Sequence, residues 1–319
     1  MSVTSILLAD IGGTNSRFAL AGSSGRPEHI RIIENDTAPD LETAIANYCA
    51  EVATRPNAAV LAVAGPIDGG DEVALTNRGW RFRRSALARR FGFSQLRVVN
   101  DFEAIAWALP RLAPDDAHPL GEPLPLPPRA GVKLALGPGT GLGVAALVPV
   151  DGRWHVVASE GGHASFGPHA PDELEIFQRL WQEHGAVSAE TILSGPGLAR
   201  LLRALDPQAP AATPEAVVAG ALAREASPQA TVRLFVRLIG RFAGGLALTF
   251  KAVGGVYIAG GVLSRFGPLL DAHEFRAAFE AHPPYEKLLK EIPTLLMSRS
   301  EPGLLGCAAL ADELAGAGR

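Results

Sequence analysis

Two short turns carry the residue types that can hold a polyphosphate. The first is Gly12-Gly13-Thr14, entered through Leu8-Ala9-Asp10-Ile11, and the second is Gly139-Thr140-Gly141, entered through Leu136-Gly137-Pro138. Consecutive glycines let a backbone approach a ligand and take φ > 0 without a Cβ penalty. Their N–H groups can then converge into an anion-binding concavity, to which Thr14 and Thr140 add hydroxyl donors. One such turn is equally well a tight hairpin, but two equivalent turns suit a polyphosphate. Neither fits the GxxxxGK(S/T) or GxGxxG pattern, so the grip is of another kind. Asp10 stands immediately before the first turn. It could close that turn by an Asx hydrogen bond, or hold Mg²⁺, directly or through water, because Mg²⁺ pairs one or two carboxylates with substrate phosphates.

Asn100-Asp101 ends an apolar run and opens a helical one. Either residue could be only an N-cap, yet the C-terminal ends of strands in α/β sheets are where ligands bind. A sugar hydroxyl is a poor nucleophile, and a positioned carboxylate that takes its proton contributes about 10²–10⁴-fold. Asp101 could supply that carboxylate. In Ser159-Glu160-Gly161-Gly162-His163 a two-glycine turn separates an acid from an imidazole, and Glu190 follows just before Thr191-Ile192-Leu193-Ser194-Gly195. Asn100, Asp101, Glu160, His163 and Glu190 form a hydrogen-bonding set suited to the ring hydroxyls of a sugar, although spacing alone does not make them converge. Zinc is disfavoured, since no compact Cys/His set is present.

The elements that must position these residues follow from patterning. Strands are expected at 6–10, 17–20, 31–33, 59–63 and 96–99. A helix is expected over 41–52 with Asp40 as N-cap, and another over 102–109, stopped by Pro110. The segment 110–129 carries seven prolines, too many for a helix and unsuited to an inner strand, and is read as a linker between lobes. Beyond it the opening pattern returns. LALG-PGTG-LGVAAL repeats the order of LLAD-IGGTN-SRFAL, and Val256-Tyr257-Ile258-Ala259-Gly260-Gly261 echoes Leu61-Ala62-Val63-Ala64-Gly65-Pro66. Two matches in one order point to a duplicated unit. A helix over 301–314, with Pro302 near its start, is expected to pack back on the first lobe.

The chain has 319 residues, beyond the size at which one core stops growing, so two lobes are expected: 1–110 completed by 301–319, and 111–300. Its 47% hydrophobic and 19% charged residues are those of an ordinary globular protein, and a formal net charge of −4 offers no nucleic-acid surface. The six arginines within 78–90 read as the solvated face of a short helix. Cys49 and Cys307 lie in apolar surroundings outside any CxxC and are expected to be buried free thiols, which fits a reducing compartment. There is no signal-peptide pattern and no run of about 18 apolar residues. A cytoplasmic protein is expected.

Together LADIGGTNSRFAL, VAGPIDGG with TNRGW, VVNDFEA, LGPGTGLG, EGGHASF, LSGPGL and GGVYIAGGVL resemble the bacterial glucokinases, of the actin-like, sugar-kinase and heat-shock ATPase superfamily. The blocks run in order from Leu8 to Gly261. The resemblance implies two α/β lobes built on a duplicated ribonuclease-H-like fold with a cleft between them. It implies transfer of the γ-phosphoryl group of ATP to the 6-hydroxyl of glucose. Ala9, Asp10, Ile11, Gly12, Gly13 and Thr14, with Gly139 and Thr140, would surround the phosphates of ATP and Mg²⁺, and Gly260 and Gly261 would lie near the adenosine. Asp101 would be the general base, and Asn100, Glu160, His163 and Glu190 glucose ligands. The cysteine cluster of the zinc-containing relatives is absent, so no metal site of that kind is expected, and with a first strand expected at about residue 5 the DNA-binding repressor variant, with its N-terminal helix-turn-helix, is not expected either. A homodimer is implied by the habit of relatives. The competing expectations are a kinase for another hexose and a sugar sensor without catalysis, the latter opposed by retention of both turns and of Asp101.

Overall fold

The computed structural model describes residues 5–76, 78–125 and 130–317. Asn77 of the TNRGW block, Pro127, Pro128 and Arg129 of the proline segment, and the extreme ends of both termini lie outside these. The chain divides into two compact units, Met1–Leu112 with Arg299–Arg319, and Ala113–Ser298.

The first unit holds strands β1 (Ile6–Ile11), β2 (Asn15–Ala21), β3 (Pro27–Glu34), β4 (Ala58–Val63), β5 (Glu72–Ala74), β6 (Arg81–Arg83) and β7 (Gln95–Asn100). Five of them form a sheet in the order β3-β2-β1-β4-β7. β1 pairs antiparallel with β2 and parallel with β4, which pairs parallel with β7. Strand alternation divides the side chains of β1 between the two faces. Leu7, Ala9 and Ile11 pack in one core with Leu41, Ile45 and Tyr48 of the helix Leu41–Glu51. That helix begins where Asp40 accepts a hydrogen bond from the Thr43 N–H at 2.7 Å, as its N-cap position requires. The opposite face is covered by the helices Asp101–Ala108 and Pro302–Ala317. Leu304, Leu305 and Leu310 of the latter are fully buried, and Cys307 donates from Sγ to the Ala9 carbonyl.

The second unit holds β8 (Ala117–Pro119), β9 (Lys133–Pro138), β10 (Leu142–Val150), β11 (Arg153–Ser159), β12 (Val256–Ile258) and β13 (Thr294–Met297). Their order is β11-β10-β9-β12-β13-β8. Without β8 this is the order of the first sheet, with the same senses: β9 is antiparallel to β10 and parallel to β12, which is parallel to β13. The duplication is thus one of topology, a ribonuclease-H-like sheet made twice. The proline-rich segment does more than link. Ala117–Pro119 joins the sheet at its edge, where a proline without an N–H is tolerated.

The sequence reading assigns no element between 167 and 254. There the structure places the helices Leu174–His184, Gly195–Leu205, Pro214–Leu222 and Ala226–Phe250, which share a core with the second sheet. The arginine-rich stretch also differs from expectation. Arg81 and Arg83 lie on β6 and only Arg84, Arg89 and Arg90 on the helix Arg84–Phe91. Arg78 lies over the Trp80 ring at 4.5 Å and bonds the Asn35 carbonyl and Asp36. Cys307 is buried, but Cys49 is only half-buried.

Candidate active site

Three parallel strands of the first unit end on one edge of the sheet. Ile11, Val63 and Asn100 stand side by side across β1, β4 and β7. The segments that leave that edge are Gly12-Gly13-Thr14, Ala64-Gly65-Pro66 and Asp101. With neighbouring strands about 4.8 Å apart, the glycine turn and Asp101 are separated by two strand spacings, roughly 10 Å.

Asn100 is the N-cap of the Asp101–Ala108 helix. Its Oδ1 accepts from the Phe102 N–H at 2.9 Å and its Nδ2 donates to the Gly65 carbonyl at 3.0 Å. The side chain therefore locks the end of β7 to the end of β4. The Phe102 N–H is shared with Asp101 Oδ1 at 3.0 Å, so one carboxylate oxygen is anchored at the helix start. Burial pushes the Asp101 carboxyl up to about 7, and the charge of Asp10 adds to this. The Phe102 N–H and the Asn100 side chain oppose it. A carboxyl brought close to neutrality is a matched general base for work near pH 7.

Asp10 is second to last on β1, and its side chain is 16% exposed. Burial raises its carboxyl, Arg17 lowers it and Glu301 raises it. Arg17 is its register partner on β2, with Nη1 3.8 Å from Oδ2. Gly303, in the first turn of the C-terminal helix, also faces this carboxylate, and a Cβ there would stand 2.7 Å from Oδ2. Arg17, Glu301, Gly65 and Gly303 were not singled out from the sequence. Only Arg17 left a signal there, since hairpin alternation sets it opposite Asp10. Among the described residues no group of three or more His, Cys, Asp or Glu could hold a metal ion. Asp10 nevertheless fits Mg²⁺, which needs one or two carboxylates and takes its remaining oxygens from phosphates and water.

In the second unit the Gly139-Thr140-Gly141 turn closes on itself through Gly139 N–H to the Gly141 carbonyl at 2.8 Å. It is tied down where the Gly195 N–H meets the Gly139 carbonyl, also at 2.8 Å. Leu142 leaves the turn, and its N–H donates to Glu190 Oε2 at 2.8 Å. Glu190 lies in the short helix Ala189–Ile192, capped by Ser188. Its other oxygen, Oε1, is 3.9 Å from His163 Nε2. The two meet because 164–166 runs beside 187–189, with Phe166 N–H to the Val187 carbonyl and Ala189 N–H to the Ala164 carbonyl, both 3.0 Å. Gly162 rests on the Leu142 carbonyl, which a Cβ would approach to 2.0 Å. No side chain fits there. Glu160 and His163 are exposed at either end of the 3₁₀ turn Gly161–His163.

The structure thus groups Asn100 and Asp101 near Asp10 in the first unit, and Glu160, His163 and Glu190 beside the Gly139-Thr140 turn in the second. Gly260 follows β12, one strand over from that turn, where the Ala259 N–H meets the Leu136 carbonyl at 2.8 Å. Its φ of +95° suits glycine alone, and Gly261 opens the helix Gly261–Phe266. Among the described residues no helix is long and apolar enough to cross a membrane.

Comparison with known proteins bears on the family and the fold. A family model described as Glucokinase matches residues 7–314. The chain is 43% identical over 313 residues to a bifunctional protein glk of Burkholderia lata, covering 96% of this chain and 48% of the relative. It therefore spans about half the length of that relative. It is 41% identical to a glucokinase of Yersinia pestis, covering 96% of each. The crystal structure of a glucokinase from an Antarctic psychrotroph superposes with a TM-score of 0.87 at 33% identity, covering 98% of this chain and 100% of that one. With its duplicated, actin-like α/β topology and a match along nearly its whole length, the chain belongs to the glucokinase family.

Proposed function

We propose that this protein transfers the γ-phosphoryl group of ATP to the 6-hydroxyl of D-glucose, giving glucose 6-phosphate and ADP. The observation that carries the reading is the Asp101 carboxyl. It sits at the end of β7, on the sheet edge that also presents the Gly12-Gly13-Thr14 turn and Asp10, and burial holds it near 7.

In this reading Asp101 accepts the proton of the 6-hydroxyl as that oxygen bonds to the γ-phosphorus. The bond from phosphorus to the β–γ bridging oxygen breaks, and the electron pair leaves with ADP. Asp101 Oδ1 is held by the Phe102 N–H, which fixes the carboxylate so that Oδ2 can take the proton. Such a transfer depends mainly on positioning and charge stabilisation. The backbone N–H groups of the two glycine turns, with Thr14 and Thr140, meet the phosphate oxygens. Asp10 would hold Mg²⁺, directly or through water, and the ion would offset charge on the phosphates. Asn100, Glu160, His163 and Glu190 take hydroxyls of the sugar, and Gly260 and Gly261 lie against the adenosine.

The test is a coupled assay with glucose and Mg·ATP on wild type and Asp101→Ala, run beside a panel of other hexoses. Asp101→Ala is expected to lower kcat by about 10²-fold or more while nucleotide affinity is kept. Near-normal turnover by that variant removes the base assignment, and a hexose used better than glucose replaces the substrate.

A further inference from the structure

The first glycine turn has one internal hydrogen bond, from the Gly12 N–H to the Asn15 carbonyl at 3.1 Å, which closes its mouth and leaves the carbonyls of Gly12, Gly13 and Thr14 to other partners. Those three carbonyls are taken by one residue just beyond β3, Asn35. Asn35 is completely buried. Its Nδ2 donates to the Gly12 carbonyl at 2.8 Å and the Gly13 carbonyl at 3.1 Å, and its backbone N–H donates to the Thr14 carbonyl at 2.9 Å. Its Oδ1 accepts from the buried Ser16 hydroxyl at 2.6 Å, which settles which end of the amide faces the turn. Its own carbonyl accepts from Arg78 Nη2 at 2.6 Å. Every polar group of the residue is thereby used.

Peptide geometry gives this arrangement a consequence. In a trans peptide the C=O of one residue and the N–H of the next lie in one plane and point in opposite directions. With the Gly12 and Gly13 carbonyls turned toward Asn35, the Gly13 and Thr14 N–H groups must point away from it. Among the described residues no protein acceptor takes either N–H, and Thr14 is exposed. A free backbone, above all one with two glycines, has no reason to keep both donors on one side.

We infer that Asn35 is the positioning residue of the first phosphate turn, its side-chain amide turning the Gly13 and Thr14 N–H groups outward as a preformed anion site for the nucleotide's phosphates, with Ser16 orienting that amide. The inference rests on the kinase reading above for the identity of the anion, but its geometry is independent of the sugar. Asn35 touches no substrate. It acts through the turn, and so it affects nucleotide binding and leaves sugar binding alone.

The experiment measures two affinities separately on the full chain by titration calorimetry, for Mg·ADP and for glucose, in wild type, Asn35→Ala and Ser16→Ala. Asn35→Ala is expected to weaken Mg·ADP binding by about tenfold to a hundredfold, the worth of hydrogen bonds to a charged group, and to leave glucose affinity within about twofold. Ser16→Ala, which removes only the orienting hydroxyl, is expected to weaken Mg·ADP about threefold to tenfold with the same selectivity. Unchanged Mg·ADP affinity in folded Asn35→Ala overturns the inference. So does a parallel loss of both affinities, which marks a merely structural residue. Where Asn35→Ala does not fold, unchanged Mg·ADP affinity in Ser16→Ala overturns it. A wild type that binds Mg·ADP without phosphorylating glucose refutes the proposed function and leaves this inference standing on the nucleotide titration.

Discussion

Asp101 and Asp10 are held where water would ordinarily stabilise their charge and does not. For Asp101 burial is the larger cause and the charge of Asp10 the lesser. The raised value has two consequences with definite signs. A base must be ionised to accept a proton, so kcat/KM, which reports the free enzyme, is expected to fall about tenfold per pH unit below about pH 7. A pH–rate profile flat down to pH 5 contradicts this. The second concerns stability. A carboxyl whose folded value lies above its unfolded one favours folding below the unfolded value, near pH 4, and that contribution is lost as pH rises through about 7. At pH 8 the charged Asp101 therefore destabilises the protein. Asp101→Asn is expected to be more stable than wild type at pH 8, by at most about 4 kcal/mol, with the advantage vanishing toward pH 4. Thermal melts at the two pH values check it, and an equal or lower melting temperature at pH 8 refutes it. The trade of stability for a poised base is common at active sites.

At the scale of elements, what matters is which strand ends and turns are tied together. Asn100 ties β7 to β4 through the Gly65 carbonyl, and Glu190 ties the exit of the second glycine turn to His163. The latter connection gives Glu190 a structural duty beside the sugar contact proposed for it. One of its oxygens already serves the Leu142 N–H, one residue past the Gly139-Thr140-Gly141 turn. Glu190→Ala leaves that N–H without its acceptor, a loss of about 1–3 kcal/mol for a buried donor. It is expected to raise KM for glucose and also KM for ATP, the latter by about threefold to tenfold. His163→Ala, which leaves the Leu142 bond in place, is expected to raise KM for glucose alone. Steady-state kinetics with each substrate varied in turn decides the matter. Equal behaviour of the two variants toward ATP shows that the Leu142 bond does not shape the turn.

Across the whole molecule one sheet topology is used twice and given different duties. The first position after β7 carries Asp101, while the first position after the corresponding strand of the second unit, β13, is Ser298, with no carboxylate there. The segments after β4 and β12 correspond as well, Ala64-Gly65-Pro66 and Ala259-Gly260-Gly261. The first unit is discontinuous, because Pro302–Ala317 returns to cover β1 and β4 and packs against Asp101–Ala108 so closely that Gly306 stands against the Ala104 carbonyl. Leu304, Leu305 and Leu310 are completely buried there, worth roughly 5–9 kcal/mol together. That is comparable to the whole net stability of a domain. A chain truncated after Ser298 is expected to lose the fold of its first unit while 113–298 keeps protease-resistant structure. Limited proteolysis with mass spectrometry reads the outcome, and a truncated chain whose residues 5–112 resist protease as in wild type contradicts it.

Residue order by itself determined what depends on neighbours within a few positions. Glycine turns, the Asp40 cap, the buried apolar strands and the helix that follows Asn100 all follow from local sterics and periodicity. The repeat of the opening pattern was also legible, because equivalent strands keep equivalent apolar runs. Only the tertiary structure decided the long-range hydrogen bonds. Asn35 gives no sign in the chain that its amide will close on Gly12 and Gly13, nor does Gly303 that it must leave room for Asp10. His163 and Glu190 are 27 positions apart and meet only because 164–166 lies beside 187–189. Residues 167–254 do carry local helix signals that the sequence reading left unused, the Ser194 and Thr213 N-caps each followed by a proline in the first turn, but how those helices share one core with the second sheet is decided by packing. A buried polar group must find a partner, but which partner is set by the strands and loops that pack together, and spacing along the chain does not carry that information.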